Sequence, residues 1–526
     1  MTSLGGMNPA AYPVSVIRAC EQVLLDAQPH PDQLMRQAAH AVAVAAATLL
    51  RGREDPEICL LVGAGGNGGD ALYAGAELAA SARVTAVLLG RDERVHERAW
   101  AAFREAGGLR GEQLPEQGTV DLVIDGILGI GGTGGLSPEV GAWLPRAEAP
   151  VLAVDLPSGV DADTGALPGH HVTADVTVTF GGLRHAHAVS NACGEVLLVD
   201  ISNDAGTLGG LLAAEAGPVI VHRAVGTGRE WPDPLHPVPA LTLRESPEPS
   251  PMDDKYSGGV VAVCAGSEDY PGAGVLTTLG AVRATSAMVR YVGTLGREVV
   301  RQIPEVIISP TVADTGRVQA WVVGPGRGPD EAELRALLPR PEPLLIDADA
   351  VTLLARSAEL RSVLRGREGA TLLTPHAGEF RRLADSLTGV PDVATDPLAA
   401  VRALATDLRC AVLLKGRRTI IALPDAVHSV DAGSSWAATP GSGDVLAGVA
   451  GAWLARSGLD GILGAVHIHS VAARLAAQTP DGPAPVSASR IAEAVPQATA
   501  RLSRSVHGHV ITRAQPTAST PPATNR

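Results

Sequence analysis

The sequence predicts an α/β protein built from two doubly wound domains, each with a parallel sheet covered by helices. Short apolar runs alternate with amphipathic segments along most of the chain, which is typical of βαβ units. Two glycine-rich segments that each end in an aspartate lie far apart, at residues 65–70 and 441–444. The chain has 526 residues, too many for one ordinary core, since a domain takes roughly 150 residues.

The composition indicates a soluble, folded enzyme with a core of small aliphatic side chains. Hydrophobic residues make up 45% of the chain but aromatic residues only 3%, so Ala, Val and Leu must fill the interior. The net charge of −14 repels a nucleic-acid backbone. No basic cluster with interleaved aromatic residues offsets that repulsion, so we expect no nucleic-acid partner.

Cysteine usage and the N-terminal segment predict a cytoplasmic protein. The cysteines are odd in number, scattered and without a C-x-x-C pair, which argues against a disulfide framework and a zinc site. The longest apolar stretch, residues 41–50, is far shorter than the roughly 20 residues that a membrane span needs. The chain starts without a basic segment followed by an apolar run. We expect no membrane partner, and we expect a homo-oligomer.

The first half, residues 1–215, is predicted to form one domain. A helix is expected over residues 34–50, where Ala and Leu recur at helical spacing. Nearly continuous apolar runs are typical of buried parallel strands. The predicted strands are 58–62, 84–89, 120–124, 151–154, 175–180 and 195–201, and the predicted helices between them include 71–82 and 93–106.

The second half, residues 252–505, is predicted to form another α/β domain. Its expected strands are 260–263, 320–323, 343–346 and 411–414, with a helix over 331–338. Residues 216–251 lose the alternation and contain two proline-rich stretches, so we predict a linker there. We expect fragments ending near residue 215 and starting near 245 to fold separately. The tail, residues 506–526, is predicted to be disordered.

Five motifs of the second half carry chemistry. Glycines at 441–443 open a predicted helix, whose N–H groups can hold an anion while Asp444 accepts a proton from a hydroxyl. Lys415, one of only two lysines, follows a strand. The other motifs, residues 324–328, 347–350 and 374–379, also follow strands, where ligands collect in open parallel sheets. Each alone fits an ordinary turn or helix cap, but the ordered set favours a phosphate-handling site.

This ordered set resembles the ADP-dependent NAD(P)H-hydrate dehydratases of the ribokinase-like group, over about residues 252–500. The resemblance implies phosphorylation of the ring hydroxyl of a hydrated nicotinamide nucleotide, followed by elimination of phosphate, with Asp444 as the catalytic residue. The implied substrate contacts are Ala273, Gly326, His376 and Asp444. The implied contacts to ADP (or ATP), with Mg²⁺ as counter-ion, are Lys415, Gly416, Arg417, Arg418, Thr419 and Gly443.

Three loops of the first half follow predicted strands. Residues 63–70 lie between a strand and a helix but differ from the G-x-G-x-x-G fingerprint, because Asn67 and Asp70 add side-chain oxygens. Asp125 leads into a glycine-rich loop, and residues 155–163 follow the next strand. Oxygens from Asn67, Asp125 and Ser158 would suit a hard cation such as potassium. Ordinary turn chemistry is the alternative for each loop.

Together these loops resemble the NAD(P)H-hydrate epimerases, over about residues 12–203, which implies a Rossmann-like fold. Gly66 replaces an asparagine that is usual in that family, and Arg184 stands where a lysine is common. The resemblance implies that Asn67, Asp125 and Ser158 bind K⁺ and that Asp155 is catalytic. The implied hydrate-binding residues are Gly66, Asn67, Gly68, Gly69, Asp70, Gly129, Ile130, Gly131, Gly132, Thr133, Gly134, Gly135 and Asp155.

The two resemblances predict one bifunctional repair enzyme for hydrated NADH and NADPH, in which the first domain feeds the second. The alternative is a small-molecule kinase of the ribokinase-like group fused to a non-catalytic nucleotide-binding or scaffold domain. The histidine pairs at residues 170–171, 185/187 and 467/469 lack partners at ligand spacing, so we interpret them as solvated or core histidines.

Overall fold

Two sheets with helices on their faces organise the chain. The computed structural model describes residues 9–90, 94–132, 134–226, 228–243, 248–249 and 251–503. The strands up to residue 243 are β1 (Ala10–Tyr12), β2 (Glu57–Val62), β3 (Arg83–Leu88), β4 (Leu109–Gly111), β5 (Leu122–Gly126), β6 (Val151–Val154), β7 (Val176–Phe180), β8 (Leu183–Arg184), β9 (Glu195–Val199), β10 (Ser202–Asn203), β11 (Gly206–Thr207), β12 (Val219–Arg223) and β13 (His236–Pro237). The helices of this part are α1 (Val14–Ala27), α2 (Gln33–Leu49), α3 (Gly66–Leu78), α4 (Glu97–Glu105), α5 (Pro138–Trp143), α6 (His185–Val189) and α7 (Leu208–Leu212).

The rest of the described chain continues the alternation. Its strands are β14 (Val261–Cys264), β15 (Val289–Val292), β16 (Ile307–Ser309), β17 (Ala320–Val323), β18 (Leu344–Ile346), β19 (Thr371–Leu373), β20 (Ala411–Leu414), β21 (Arg418–Ala422), β22 (Val427–Asp431), β23 (Gln478–Thr479) and β24 (Gly482–Pro483). Its helices are α8 (Pro271–Ala284), α9 (Gly296–Gln302), α10 (Ala332–Leu337), α11 (Asp349–Arg356), α12 (Ala358–Arg365), α13 (Ala377–Ala384), α14 (Pro397–Leu408), α15 (Ser442–Ser457), α16 (Ile462–Ala476) and α17 (Ala488–Ser503).

The first sheet has the strand order β13-β9-β7-β6-β5-β2-β3-β4 in the described residues, and its strands are parallel apart from β13. The chain leaves β2 toward β3 and β4 and then returns to β5 on the other side. The strand order therefore reverses between β2 and β5, and this is where open sheets of this kind bind ligands.

The second sheet has the order β16-β15-β14-β17-β18-β19-β20-β21-β22-β12-β1-β8. Its strands from β16 to β20 are parallel, and β21 and β22 form an antiparallel extension. The strand order reverses between β14 and β17. Both domains therefore have the doubly wound α/β class that the sequence predicts.

Small side chains let the helices lie close to the second sheet. A methyl group on Gly448 of α15 would lie 2.0 Å from the carbonyl oxygen of Thr277, and one on Gly451 would lie 2.1 Å from Val322. The surrounding core consists mostly of Ala, Val, Leu and Ile, as the composition predicts. This packing fixes the start of α15, and with it residues 442–444, against the sheet. Among the described residues, no helix is long and apolar enough to cross a membrane.

The predicted elements agree with the observed strands and helices to within a few residues, with one notable exception at α3. This helix begins at Gly66, whereas the sequence predicts a start at residue 71. The glycines look like loop residues in sequence. They form the first helical turn because the first N–H groups of a helix need no partner inside it.

Residues 216–251, which the sequence predicts to be a linker, contain two strands that pair with the sheets. Strand β12 lies in the second sheet, parallel to β22 and antiparallel to β1, and β13 pairs with β9 of the first sheet. Val219 and Val221 are buried, so this segment contributes side chains to the hydrophobic core. The segment lacks the alternation of strand and helix that identifies the other strands, and its prolines are typical of a linker. The predicted tail, 506–526, lies outside the described residues.

Candidate active sites

A cleft of about 500 Å³ opens where β2, β5 and β6 end in the first sheet. Side chains of Glu21 and Arg184 line it together with most of the residues predicted from the sequence. The predicted residues that line it are Gly66, Asn67, Asp70, Gly129, Ile130, Gly131, Gly132 and Asp155. The three loops that the sequence singles out thus meet at one site.

The floor of the cleft includes the start of α3. Gly65 is the N-cap residue, and the helix follows directly from Gly66. The free N–H groups and the helix dipole at this end favour an anion such as a phosphate. A methyl group on Gly66 would meet no atom within 4 Å, whereas one on Gly68 would lie 2.0 Å from the carbonyl oxygen of Gly63. Gly68 is therefore required for packing, while Gly66 is not.

Four other predicted residues of the first site lie beside the cleft or beyond the described residues. A methyl group on Gly69 would press on the sulfur of Met35 at 2.7 Å. Gly134 lines a separate cavity of about 60 Å³ beside Ser158. Gly135 packs against Gly169 and His170. Thr133 lies outside the described residues.

Asp155 is held in one orientation within the cleft. Its backbone has φ 64°, a left-handed conformation that a non-glycine residue adopts only when its surroundings enforce it. Arg184 Nη2 lies 2.8 Å from Asp155 Oδ1, and the Thr179 hydroxyl donates a hydrogen bond to the same oxygen at 3.0 Å. All three side chains are buried. The arginine that replaces the family's common lysine therefore serves as the ion-pair partner of this carboxylate.

A second carboxyl group of the cleft, that of Asp70, has a contrasting environment. None of the described residues donates a hydrogen bond to it. Burial, together with the negative charges of Asp155 and Glu21, raises the pKa of Asp70 well above its usual value. This environment favours the protonated form of the Asp70 carboxyl, which can donate a hydrogen bond.

The three residues predicted to bind potassium lie together. Asp125 is fully buried and accepts hydrogen bonds from Ser158 N at 2.8 Å and from Ser158 Oγ at 2.6 Å. Asn67 Nδ2 donates to the carbonyl oxygen of Leu128, which the Ser158 hydroxyl also approaches, at 3.3 Å. Burial raises the pKa of Asp125 to about 6. The side chains of Asn67, Asp125 and Ser158 thus share one small polar region.

The second site is a cluster of charges where β18, β19 and β20 end. Lys415 Nζ lies 2.7 Å from Asp347 Oδ1 and 4.0 Å from Glu379 Oε2. It also reaches the start of α15, because a methyl group on Gly443 would lie 3.5 Å from Nζ. Three of the motifs that the sequence singles out are therefore in contact through one lysine.

Asp444 lies beside this cluster in the first turn of α15. Burial and the negative charge of Asp347 raise its pKa to about 6, although Lys415 opposes the shift. Burial lowers the pKa of Lys415, but Asp347, Glu379 and Asp444 raise it more, so the lysine stays charged. An acid with a pKa near the working pH is suited to proton transfer.

His376 is placed by the helix that follows it. Its Nδ1 accepts hydrogen bonds from Gly378 N at 2.9 Å and Glu379 N at 3.4 Å, while Glu379 Oε2 accepts one from His376 N at 2.9 Å. This reciprocal capping box fixes the start of α13. The side chain of His376 is 56% exposed, and its Nε2 lies 3.3 Å from Glu379 Oε1.

Ala273 and Gly326 lie in contact at the point where the strand order of the second sheet reverses. A methyl group on Gly326, which has φ 62°, would lie 2.7 Å from Ala273 Cβ. Gly266 N also donates to the carbonyl oxygen of Pro325 at 2.7 Å. Backbone from three segments thus converges beside the start of α8. The structure places Ala273 and Gly326 next to each other, and their contact with the substrate stays a prediction.

The residues of the loop 416–419 lie in different surroundings. Arg417 is half-exposed and donates to Ser435 Oγ at 3.3 Å. The Thr419 hydroxyl donates to the carbonyl oxygen of Gly416 at 3.1 Å. Arg418 is buried and donates to the carbonyl oxygen of His187, in the first domain, at 2.8 Å. The guanidinium group of Arg418 is therefore bonded to the first domain, although Arg418 and Lys415 both line a cavity of about 330 Å³.

Sequence reasoning assigned no role to three buried groups near the second site. Asp347 and Glu379 belong to the motifs at residues 347–350 and 374–379. Their position after predicted strands is the sequence feature that could have identified them. His469 Nε2 lies 3.0 Å from both the hydroxyl and the carbonyl oxygen of Ser442, and burial lowers its pKa to about 4. This neutral histidine supports the first residue of α15. No sequence pattern links α16 to that loop.

Both halves of the chain are similar to known proteins. Residues 31–186 match the family model described as YjeF-related protein N-terminus, and residues 261–497 match the one described as NAD(P)H-hydrate dehydratase. The chain is 46% identical to the bifunctional NAD(P)H-hydrate repair enzyme Nnr of Corynebacterium glutamicum, with 94% of this chain and 99% of that protein covered. It is 47% identical to the protein of the same name from Mycobacterium tuberculosis, with 85% and 89% covered.

A solved structure is similar to part of the chain. It is an ADP/ATP-dependent NAD(P)H-hydrate dehydratase from Bacillus subtilis, co-crystallised with ATP and Mg²⁺. The identity is 27% and the TM-score 0.43, with 50% of this chain and 95% of that chain covered.

Proposed function

Because this chain belongs to the family of bifunctional NAD(P)H-hydrate repair enzymes, we propose that its two clefts perform the two successive steps of that repair. The first domain interconverts the two epimers of hydrated NADH or NADPH, and the second dehydrates one epimer with the help of ADP. The observation that carries this assignment is the presence of two separate sites, each with its own buried, pKa-shifted carboxyl group. A kinase fused to a scaffold is not favoured, because the relatives match along both halves.

At the second site, Asp444 accepts the proton of the ring hydroxyl while the hydroxyl oxygen takes up the terminal phosphoryl group of ADP. The bond between that phosphorus and the bridging oxygen breaks, and AMP leaves with the electron pair. The bond between the ring carbon and the hydroxyl oxygen then breaks, and phosphate leaves with the electron pair. The adjacent ring carbon loses a proton, which restores the double bond of NADH or NADPH. Phosphate is a far better leaving group than hydroxide, so phosphorylation makes the elimination feasible.

The start of α15 and Lys415 support the phosphoryl transfer. N–H groups at a helix start stabilise the oxygens of a phosphate, and Lys415 adds a positive charge within reach of Gly443. Gly416, Arg417 and Thr419 would hold the rest of the nucleotide. Four carboxyl groups lie around the one lysine, and their excess of negative charge fits Mg²⁺. They are Asp347, Asp349, Glu379 and Asp444. Mg²⁺ would neutralise phosphate charge when bound.

At the first site, Asp155 is the catalytic carboxylate. Epimer exchange requires the hydroxyl to leave one face of the ring and return on the other, so positive charge develops on the ring. Asp155 lies in the cleft with its orientation fixed by Arg184, and it can stabilise that charge. Asp70 lies in the same cleft, and its environment favours the protonated form, which can donate a hydrogen bond to the hydroxyl.

The polar region formed by Asn67, Asp125 and Ser158 fits potassium. Its oxygens are a carboxylate, a hydroxyl and an amide, all of them hard donors, and the carbonyl oxygen of Leu128 lies among them. When bound, the ion would tie the three loops together and add positive charge near the phosphate. The homo-oligomeric state and the cytoplasmic location stay predictions.

A coupled assay tests the proposal. Chemically hydrated NADH is mixed with the full chain, and the return of reduced-nicotinamide absorbance is followed with and without ADP. We expect recovery only with the nucleotide present. Phosphorylation of sugars or vitamin precursors from ATP, without recovery of NADH from its hydrate, would contradict the proposal and favour the kinase.

A further inference from the structure

A buried arginine of the second domain is bonded to the first domain. Arg418 Nη1 donates to the carbonyl oxygen of His187 at 2.8 Å, and Nη2 lies 3.5 Å from that of Gly194. Its charge faces Asp431, 3.6 Å away, and both side chains are almost fully buried. A second contact of the same kind joins the Ser429 hydroxyl to the carbonyl oxygen of Ala188. Strands β21 and β22 therefore hold two successive carbonyl groups of helix α6.

The side chain of His187 continues this contact into the first site. Its Nδ1 accepts a hydrogen bond from Arg184 N at 3.0 Å, and its Nε2 lies 2.9 Å from the carbonyl oxygen of Asp155. Burial and the charge of Arg184 lower the pKa of His187 to about 3, so the ring is neutral. Because Nδ1 accepts, Nε2 carries the proton and donates a hydrogen bond to the backbone carbonyl oxygen of Asp155.

His187 thus bonds the backbones of both members of the catalytic ion pair. Asp155 and Arg184 line the cleft, and their side chains are 2.8 Å apart. Asp155 also has the left-handed backbone conformation that its surroundings must enforce. A small shift of α6 would move His187 and change the orientation of the Asp155 carboxylate.

We propose that Arg418, although it belongs to the dehydratase domain, is a positioning residue for the epimerase site, acting through His187 on Asp155 and Arg184. The assignment rests on the proposed function, since it presupposes that this cleft exchanges epimers. The role proposed for Arg418 therefore differs from that of its neighbours in the loop, which are expected to hold ADP. The epimerase site is then completed by the other domain of the same chain.

The test compares both activities in full-length variants. Arg418→Ala should lower kcat for epimer exchange about tenfold while KM for the hydrate changes less than about twofold, because the cleft stays open and only the catalytic carboxylate is displaced. The dehydratase activity, measured on the epimer that it accepts, should stay within about twofold and reports that the chain is folded. Arg490→Ala, which removes an exposed arginine of the same domain, is the matched control and should leave both activities unchanged.

Two further variants keep the test decisive. Arg418→Lys retains the charge opposite Asp431 but cannot reach both carbonyl groups, so it should fold even where alanine does not and should show a smaller loss of the same kind. In a His187→Gln background, Arg418→Ala should cause no additional loss of epimer exchange, since it acts through His187.

Three results would overturn the inference: unchanged epimer exchange in Arg418→Ala, a raised KM for ADP as its main effect, or additive losses in the double variant. The wild-type chain is measured first. If it exchanges epimers and dehydrates, the proposed function stands whatever the Arg418 variants show. If it does neither, the proposed function itself is wrong.

Discussion

At the residue scale, environment gives the carboxyl groups of this chain different tasks. Asp155 is paired with an arginine and a threonine hydroxyl, whereas Asp70 lies in the same cleft without such a partner and burial raises its pKa. In the second site, Asp444 combines burial with a nearby lysine and has a pKa of about 6. The same side-chain type is therefore held in an ion pair at Asp155 and has a raised pKa at Asp70 and Asp444.

The pKa of Asp444 predicts that kcat/KM for dehydration decreases at acid pH. The ionised form accepts the hydroxyl proton, so kcat/KM should fall about tenfold for each unit below pH 6 and level off above pH 7. Asp444→Asn should abolish dehydration at every pH while the circular dichroism spectrum is retained. A rate that stays constant down to pH 5, or turnover by the asparagine variant, would remove Asp444 from this role.

The glycines of α3 differ in what they tolerate. Gly66→Asn should leave the free energy of unfolding within about 1 kcal/mol of wild type and keep epimer exchange, because a side chain there meets open space. Gly68→Ala should cost about 3 kcal/mol, because its methyl group would overlap the carbonyl oxygen of Gly63. Urea unfolding of both variants checks this. Equal stability of the two would show that the packing of α3 is misassigned.

At the element scale, each site is made by loops that leave neighbouring strands at the point where strand order reverses. The loops after β2, β5 and β6 form the first cleft, and those after β14, β17, β18, β19 and β20 surround the second. Helix starts face both sites, at Gly66 and at Ser442. The same arrangement, a helix start that favours a phosphate group, thus occurs twice in one chain.

The loops after β2, β5 and β6 should depend on potassium. We expect epimer exchange to be faster in potassium than in a potassium-free buffer of equal ionic strength, and Asp125→Ala to lose both the activity and about 2 kcal/mol of stability, because Ser158 loses its acceptor. Asp26→Ala, an exposed substitution on α1, is the control. Equal, fast exchange in both buffers would exclude the ion from the mechanism.

The sequence predicts these elements well and their long-range contacts poorly. Apolar runs identify the buried strands, and the loops that follow them contain most of the residues that line the first cleft. Arg418 shows the limit: its local motif suggests a nucleotide site, yet its partner His187 lies 231 positions away. Likewise β12 lies in a segment that lacks the alternation of strands and helices, and its place in the sheet is set by β1 and β22. Partner identity depends on the folded topology, which a local pattern does not contain.

At the scale of the whole molecule, the domains share more than a linker. Strand β12 lies between β22 of the second domain and β1 of the first, and the buried pair Arg223 and Glu195 joins β12 to β9. The contacts of Arg418 add to this connection. The first domain is therefore attached along the edge of the second sheet.

This connection changes the expectation for separated domains. A fragment starting at residue 216 keeps β12 on the edge of β22, whereas one starting near 245 exposes that edge, including buried positions such as Val430. We expect the longer fragment to be more soluble and to unfold at a temperature several degrees higher, since an uncovered strand edge promotes aggregation. Indistinguishable melting temperatures and solubility would show that β12 contributes nothing to the second domain.

The most direct test of the central claim follows both epimers of hydrated NADH separately by chromatography, with ADP and the full chain. The account predicts that the wild type consumes both epimers completely. Asp155→Asn should consume one epimer and leave the other to its spontaneous exchange rate, and Asp444→Asn should equilibrate the epimers without consuming either. If Asp155→Asn consumes both epimers as fast as the wild type, or Asp444→Asn restores NADH, the assignment of one reaction to each site is wrong.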